Sequence, residues 1–286
     1  MTVSSLDNYA LWFNGLTFGA GTVYPIQAID GLEGLPEIRN QDDNSGYSDG
    51  MLTGTDFLSS RTITVTMLVL DGNGFSAQHN FNLLKDSLLP QRSGVQPLQF
   101  QLSAASALQR VNARVRGRVA TVDPNYSQGY IVAQVTFFCA DPIIYDDVLM
   151  TSTIYVSLVT GRVYNRSYPR SYAPASAYFY TTVTNDGNWE TFPVITIDGP
   201  IIDPIIGNFT QGLSIEFNAT LIAGDTLVID LESKLITLNG VSARNLITGT
   251  SKWFSAPVGS SQFYLTGTGT LAGTTQAIVE YRSAYV

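Results

Sequence analysis

The chain has little of what most enzyme active sites are built from. Its 286 residues hold one cysteine, Cys139, and one histidine, His79. A lone cysteine excludes an intrachain disulfide and a thiolate metal cage. A lone histidine excludes a multi-histidine zinc site, and any Ser-His-Asp or Cys-His arrangement would have to pass through His79. Charge is scarce as well. Only 13% of residues are charged, and 15 Lys and Arg against 23 Asp and Glu leave a formal net charge of −8. That balance favours solubility and argues against direct nucleic-acid recognition. No run of about 18 apolar residues occurs, so no membrane span is expected. The start of the chain lacks a basic segment leading into an apolar one, so no signal peptide is read there, and the product is expected to stay in the cytoplasm of its producing cell until assembly or release.

What the chain does have is Gly, Thr, Ser and Tyr, with 25 glycines and 15 tyrosines. A neutral, hydroxyl-rich surface suits extensive contact with other protein and reads as an assembly component. The length suits two domains of ordinary size.

Strand signals dominate. In Arg61-Thr-Ile-Thr-Val-Thr-Met-Leu-Val-Leu70, alternation puts Ile63, Val65, Met67 and Val69 on one face and Thr62, Thr64 and Thr66 on the other. After the breaker Asp71-Gly-Asn-Gly74, a helix is expected from about Phe75 to Leu89, with Ala77, Phe81, Leu84 and Leu88 as its apolar stripe and Pro90 as its stop. A strand at Leu98–Leu102 and a long hairpin follow: Leu108–Val122, turn residues Asp123–Gly129, and Tyr130–Phe138. Asp141-Pro142 closes a first domain, residues 1–142.

The second domain, residues 143–286, opens with a Tyr/Pro/Ser-rich stretch, Tyr164–Tyr180, read as a connector in preference to a tyrosine-based binding arm. From Phe192 alternation returns. Ile195 and Ile197, Ile215 and Phe217, and Leu227, Ile229 and Leu231 take inward positions, and Asn239-Gly240 signals a tight hairpin turn. Short strands with frequent turns predict an antiparallel β-sandwich.

Candidate chemistry is sparse. Cys139 follows two phenylalanines and reads as a buried structural thiol. His79 falls off the helix stripe and reads as solvated. Asp141, Asp146 and Asp147 cluster at the domain junction, where a glycosidase pair is conceivable but a solvated loop is preferred. The run Asp42–Asp49 offers hard oxygens for calcium but lacks the EF-hand pattern, so a turn is preferred. Gly72 and Gly74 precede the helix without a Walker lysine or dinucleotide fingerprint, so no phosphate site is read. Trp253, Phe254 and Tyr264 could stack on a sugar, although core packing is preferred. No catalytic residue, cofactor or metal is assigned. One feature stands out. In Arg110-Val-Asn-Ala-Arg-Val-Arg-Gly-Arg118, alternation places Arg110, Asn112, Arg114, Arg116 and Arg118 on one face. Like charges about 7 Å apart repel, so something is expected to neutralise them.

Seven phrases in order cover almost the whole chain: Gly31-Leu-Glu-Gly-Leu-Pro-Glu-Ile-Arg39, Gly46-Tyr-Ser-Asp-Gly50, Arg61–Thr66, Phe137-Phe-Cys-Ala-Asp-Pro142 with Tyr145, Asn185-Asp-Gly187, Phe192–Gly199 and Gly224–Asp230. In this order they resemble the distal tail protein family of long-tailed (siphovirus-type) bacteriophages. The resemblance implies a mainly β, non-enzymatic chain of two antiparallel sandwiches. The first would carry one α-helix and form a hexameric ring; the second would be galectin-like or carbohydrate-binding-module-like. It implies a structural hub at the distal end of the virion's tail, a homo-hexamer joining the tail tube protein to the tail-tip or baseplate proteins of the host-adsorption apparatus. Residues Arg39–Ser60 would correspond to a variable loop or belt extension. Ala256-Pro-Val-Gly-Ser-Ser261 departs from the family's usual loop after its aromatic pair. A subunit interface is expected to pair Arg114, Arg116 and Arg118 with Asp42, Asp43 and Asp49. The alternative is a carbohydrate-binding protein whose second sandwich recognises host glycans.

Overall fold

The computed structural model describes residues 2–3, 5–90, 92, 94–121, 124–156, 179–268 and 275–286. The chain divides into two compact units, Met1–Asp147 with Tyr285–Val286, and Val148–Ala284. Both are mainly antiparallel β, and the described residues contain one α-helix. Among the described residues no helix is long and apolar enough to cross a membrane. Residues 157–178 lie outside the described residues, and with them the Tyr164–Tyr180 connector except its last two residues.

The first unit begins with β1 (Ala10–Phe13), β2 (Leu16–Phe18) and β3 (Ile26–Asp30). A narrow excursion follows through β4 (Ile38–Arg39), β5 (Asp43–Asn44), β6 (Met51–Leu52) and β7 (Phe57–Leu58). Then come β8 (Arg61–Leu70), α1 (Ala77–Ser87), β9 (Gln96–Gln101), β10 (Gln109–Thr121), β11 (Tyr130–Cys139) and β12 (Ile144–Asp146). The sheet runs β2-β1-β9-β10-β11-β8-β3, with β12 also beside β10. Strand β10 changes partners along its length: Gln109–Ala113 pairs with β9, and Arg114–Thr121 pairs with β11. The sheet folds over at this strand, and Phe13 of β1 meets Phe137 of β11 edge-on at 5.0 Å. Ile63, Val65, Met67 and Val69 are all fully buried in this core, as their alternation predicts.

Helix α1 is shorter than the predicted Phe75–Leu89. Its start is fixed by Ser76, which holds an extended backbone and accepts the His79 N–H at 3.3 Å, while the Asp71 carboxylate accepts the Ala77 N–H. Gly74 and Phe75 therefore lie outside it. Its end falls at Leu88, before Pro90. Ala77, Phe81 and Leu84 bury its inner stripe, and Leu88 is buried just beyond it. Where the β10–β11 turn was expected, Pro124–Gln128 forms a short 3-10 turn.

The second unit contains β13 (Met150–Tyr155), β14 (Tyr180–Asn185), β15 (Val194–Asp198), β16 (Ile201–Asn208), β17 (Leu213–Glu216), β18 (Thr220–Leu221), β19 (Thr226–Asp230), β20 (Leu235–Leu238), β21 (Val241–Ser242), β22 (Gly259–Thr268) and β23 (Gln276–Tyr281). One sheet runs β13-β23-β15-β19-β20-β21; the other runs β14-β22-β16-β17, with β18 beside β16. Ile195, Ile197, Leu227 and Ile229 from the first sheet share a core with Ile206, Ile215, Phe263 and Leu265 from the second. The β20–β21 turn uses Asn239 and Gly240 at φ 51° and 79°, the left-handed pair that a tight hairpin requires.

Candidate assembly surface

The residues that could have carried chemistry are used to hold the fold. Cys139 is fully buried. Burial pushes its thiol up to about 12; the Arg61 cation opposes this and Asp141 adds to it, so the sulfur stays protonated and a poor nucleophile. His79 is exposed and stacks on Phe75 at 4.2 Å. The three junction carboxylates do not converge. Asp141 accepts the Ile143 N–H at 3.1 Å; its carboxyl pKa is raised by burial, against hydrogen bonds from Ile143 and Tyr145 that lower it. Asp146 receives the Tyr285 hydroxyl at 3.3 Å, and Asp147 lies 3.7 Å from Arg110. Each fastens a segment of the first unit.

The other candidates dissolve in similar ways. Gly72 and Phe75 exchange backbone hydrogen bonds at 3.0 Å, and Asp71 and Ser76 take up the first amides of α1, so that helix start is capped from within. Asp42 accepts the Gly54 N–H at 2.9 Å and the Asn40 amide at 3.1 Å, a brace within its own loop. Among the described residues no group of three or more His, Cys, Asp or Glu could hold a metal ion. Phe254 is core, edge-on to Phe263 at 5.4 Å, whereas Tyr264 stands on the opposite face of β22 beside Tyr180.

The segment Arg39–Ser60 has a definite form. It is the outer part of a two-stranded arm, paired at its base (β4 with β7) and further out (β5 with β6). Legs of this length reach roughly 30 Å. The tip is closed by Ser45 and Ser48, whose hydroxyls lie 2.8 Å apart, with Tyr47 fully exposed between them. Ile38, Met51, Leu52 and Phe57 are all exposed. An isolated two-stranded hairpin is marginal in water, and this one leaves four large apolar side chains open to solvent.

Below the arm lies a residue that reading the sequence overlooked. Arg61 is only 2% exposed. Its Nε donates to the Pro142 carbonyl at 2.9 Å, and its Nη1 donates to the carbonyls of Gly31 at 3.2 Å, Leu32 and Gly34 at 2.7 Å. One guanidinium thus ties the loop that launches the arm to the end of the unit. Desolvation lowers its pKa, with Cys139 and Glu33 acting against the shift. Extending the Ile63–Val69 alternation one step back would have placed Arg61 on the core face. Gly31 belongs to the same knot: at φ 78° a Cβ there would stand 2.1 Å from the Thr62 carbonyl oxygen.

The arginine row requires a correction. Arg114 pairs across with Phe138 and Val115 with Phe137, but the next pair is Gly117 with Thr136, which leaves Arg116 as the extra residue of a β-bulge. A bulge resets the period-2 alternation. Arg118 therefore stands opposite buried Val135, on the core side, and donates to the Lys85 carbonyl at 3.0 Å. There it satisfies an orphan carbonyl at the end of α1 and complements its dipole. Arg114 and Arg116 remain outside, both over the Phe138 ring at 5.5 and 4.5 Å. Among the described residues neither has a carboxylate partner.

In the second unit, buried Asn185 plays the part that Arg61 plays in the first. Its amide donates to the carbonyls of Trp189 at 2.6 Å and Ala256 at 3.3 Å, and its oxygen accepts the N–H groups of Gly187 at 3.1 Å and Ala284 at 3.2 Å. Gly187 has no room for a side chain, since a Cβ would stand 1.8 Å from the Ala284 carbonyl oxygen. The phrase Asn185-Asp-Gly187 is thus a packing requirement.

The profile of the siphovirus-type tail component, C-terminal domain, matches residues 186–285. No curated protein matches the chain in sequence. Among solved structures, the crystal structure of SPP1 Dit, described as a paradigm of the hub adsorption apparatus in phages infecting Gram-positive bacteria, is similar with a TM-score of 0.66 and 14% identity, covering 97% of this chain and 99% of that one. A chain of the phage P2 baseplate, in its activated conformation with calcium, is similar with a TM-score of 0.50 and 12% identity, covering 96% of this chain and 98% of that one. Residues 186–285 thus match the C-terminal domain of the siphovirus-type tail component, and over 97% of its length the chain has a fold similar to that of SPP1 Dit.

Proposed function

We propose that this protein is the structural hub at the distal end of a long-tailed bacteriophage tail. Six copies close into a ring through the first unit and join the tail tube to the host-adsorption apparatus. The observation that carries the reading is the similarity of fold over both units to SPP1 Dit, the protein described as a paradigm of the hub adsorption apparatus. The exposed apolar arm supports it, because identical heterologous contacts close into rings when their rotation allows. The role is structural rather than catalytic, with the candidate nucleophile and carboxylates spent on packing. The protein is made in the host cytoplasm and resides in the virion.

The test is to locate the protein on virus particles. Gold-labelled antibody raised against the exposed β19–β20 turn should sit at the tail end away from the capsid. Label spread along the tail, or confined to the capsid, contradicts the hub.

One observation favours glycan binding by the second unit as a further reading. Tyr180 lies 4.9 Å from Phe209 and 6.3 Å from Tyr264, and both Tyr180 and Phe209 are exposed. Clustered ring faces of this kind suit the C–H faces of sugars. As a sole function it would require no ring.

A further inference from the structure

We infer that the acidic arm of one copy docks across the Arg114–Arg116 surface of the next. This rests on the ring reading and names the contact that would close it. Residues 38–58 carry Asp42, Asp43, Asp49 and Asp56 against Arg39 alone, so the arm is anionic in an already acidic chain. Cross-strand pairing puts Asp43 opposite Leu52, which gives one arm face a carboxylate beside an exposed apolar side chain. The outer face of β10 offers the complement: Arg114 and Arg116 over Phe138, with Val119 63% exposed further along the strand. Arg114 Nε is buried without a hydrogen-bond partner among the described residues, so this guanidinium is not spent on its own chain through Nε.

Among the described residues the arm's carboxylates form no ion pair with Arg114 or Arg116 of their own chain, so the partner is a second copy. The arm leaves from the β3–β8 edge, while β10 lies beyond β11, about 10 Å inward from β8 at ordinary strand spacing. Donor and acceptor are different surfaces of one chain, so the contact is heterologous and propagates from copy to copy. Each guanidinium holds a carboxylate through two hydrogen bonds, and Phe138 fixes both cations before docking. Asp43 and Asp49 supply the charge. Asp42 serves the arm itself, and Arg118 serves the helix end.

The test is a charge swap read by the concentration at which the full-length chain assembles. Arg114→Glu with Arg116→Glu should raise the half-assembly concentration at least about tenfold. Asp43→Arg with Asp49→Arg should do the same, and the four substitutions together should restore most of the loss. Added salt should weaken the parent in the same direction. If the parent assembles and both swaps assemble like it, the docking is wrong while the ring reading stands. If the parent stays monomeric at every concentration, the ring reading fails and the docking with it. Should the arginine swap unfold the subunit, disulfide trapping decides. Asp43→Cys with Arg116→Cys must cross-link between copies, with Cys139 buried and silent, and absence of the cross-link in an assembled ring overturns the contact.

Discussion

Arg61→Ala should lower the melting temperature of the first unit by about 10 °C, more than any surface arginine can. The side chain is buried and satisfies four backbone carbonyls, on Gly31, Leu32, Gly34 and Pro142. Removing it strands those acceptors and opens a cavity, and breaking a buried charged network of this kind costs about 3–5 kcal/mol. A domain of this size loses roughly 2–4 °C per kcal/mol. Arg61→Lys should recover only part, because one ammonium cannot span carbonyls on both sides of the knot. Arg114→Ala is the control: a cation stacked on the half-exposed ring of Phe138 should cost about 1 kcal/mol or less. Calorimetry on the three variants checks the order. An Arg61→Ala protein melting with the parent would mean that the knot contributes nothing. Because the loop it holds launches the arm, assembly should also fail in this variant at temperatures where the subunit remains folded.

The second large effect concerns where the chain can be cut. Residues 1–147 expressed alone should fold and assemble like the full chain, whereas residues 1–142 should be markedly less stable. The difference is β12. Ile144 packs into the first core, β12 pairs with β10 through Tyr145 and Asp146, and Asp147 meets Arg110. Burial of Ile144 alone is worth about 2–3 kcal/mol, so the shorter fragment should melt well below the longer one. Both fragments lack Tyr285, which packs on the same core, so both should fall short of the intact unit. Thermal melts rank the three chains, and sedimentation reports their assembly. A folded 1–147 fragment that stays monomeric while the full chain assembles would show that the second unit is needed for the ring.

Much of this was legible in the residues. Period-2 alternation in Arg61–Leu70 fixed the buried face of β8 because one side of that strand meets a core and the other does not. Asn239-Gly240 marked its turn because few other pairs adopt two left-handed conformations in succession. The helix ends shifted because capping is decided by side-chain geometry at Ser76 and Asp71, which spacing does not encode. The arginine row misled for a related reason. A bulge leaves no mark in the pattern of polar and apolar residues, so Arg116 passed as an ordinary strand position and Arg118 was read on the wrong face. Arg61 stayed hidden because charge is assumed to face water, although its register with Ile63 and Val65 put it inside.

The central claim is a closed six-membered ring, and the mass of the intact assembly under native conditions tests it most directly. Native mass spectrometry of the full chain should find a species of roughly 186 kDa, six times the 31.0 kDa subunit, with no ladder of intermediates at saturating concentration. Monomers only, or assemblies that stop at two copies, would contradict the ring and leave glycan recognition by the second unit as the better account.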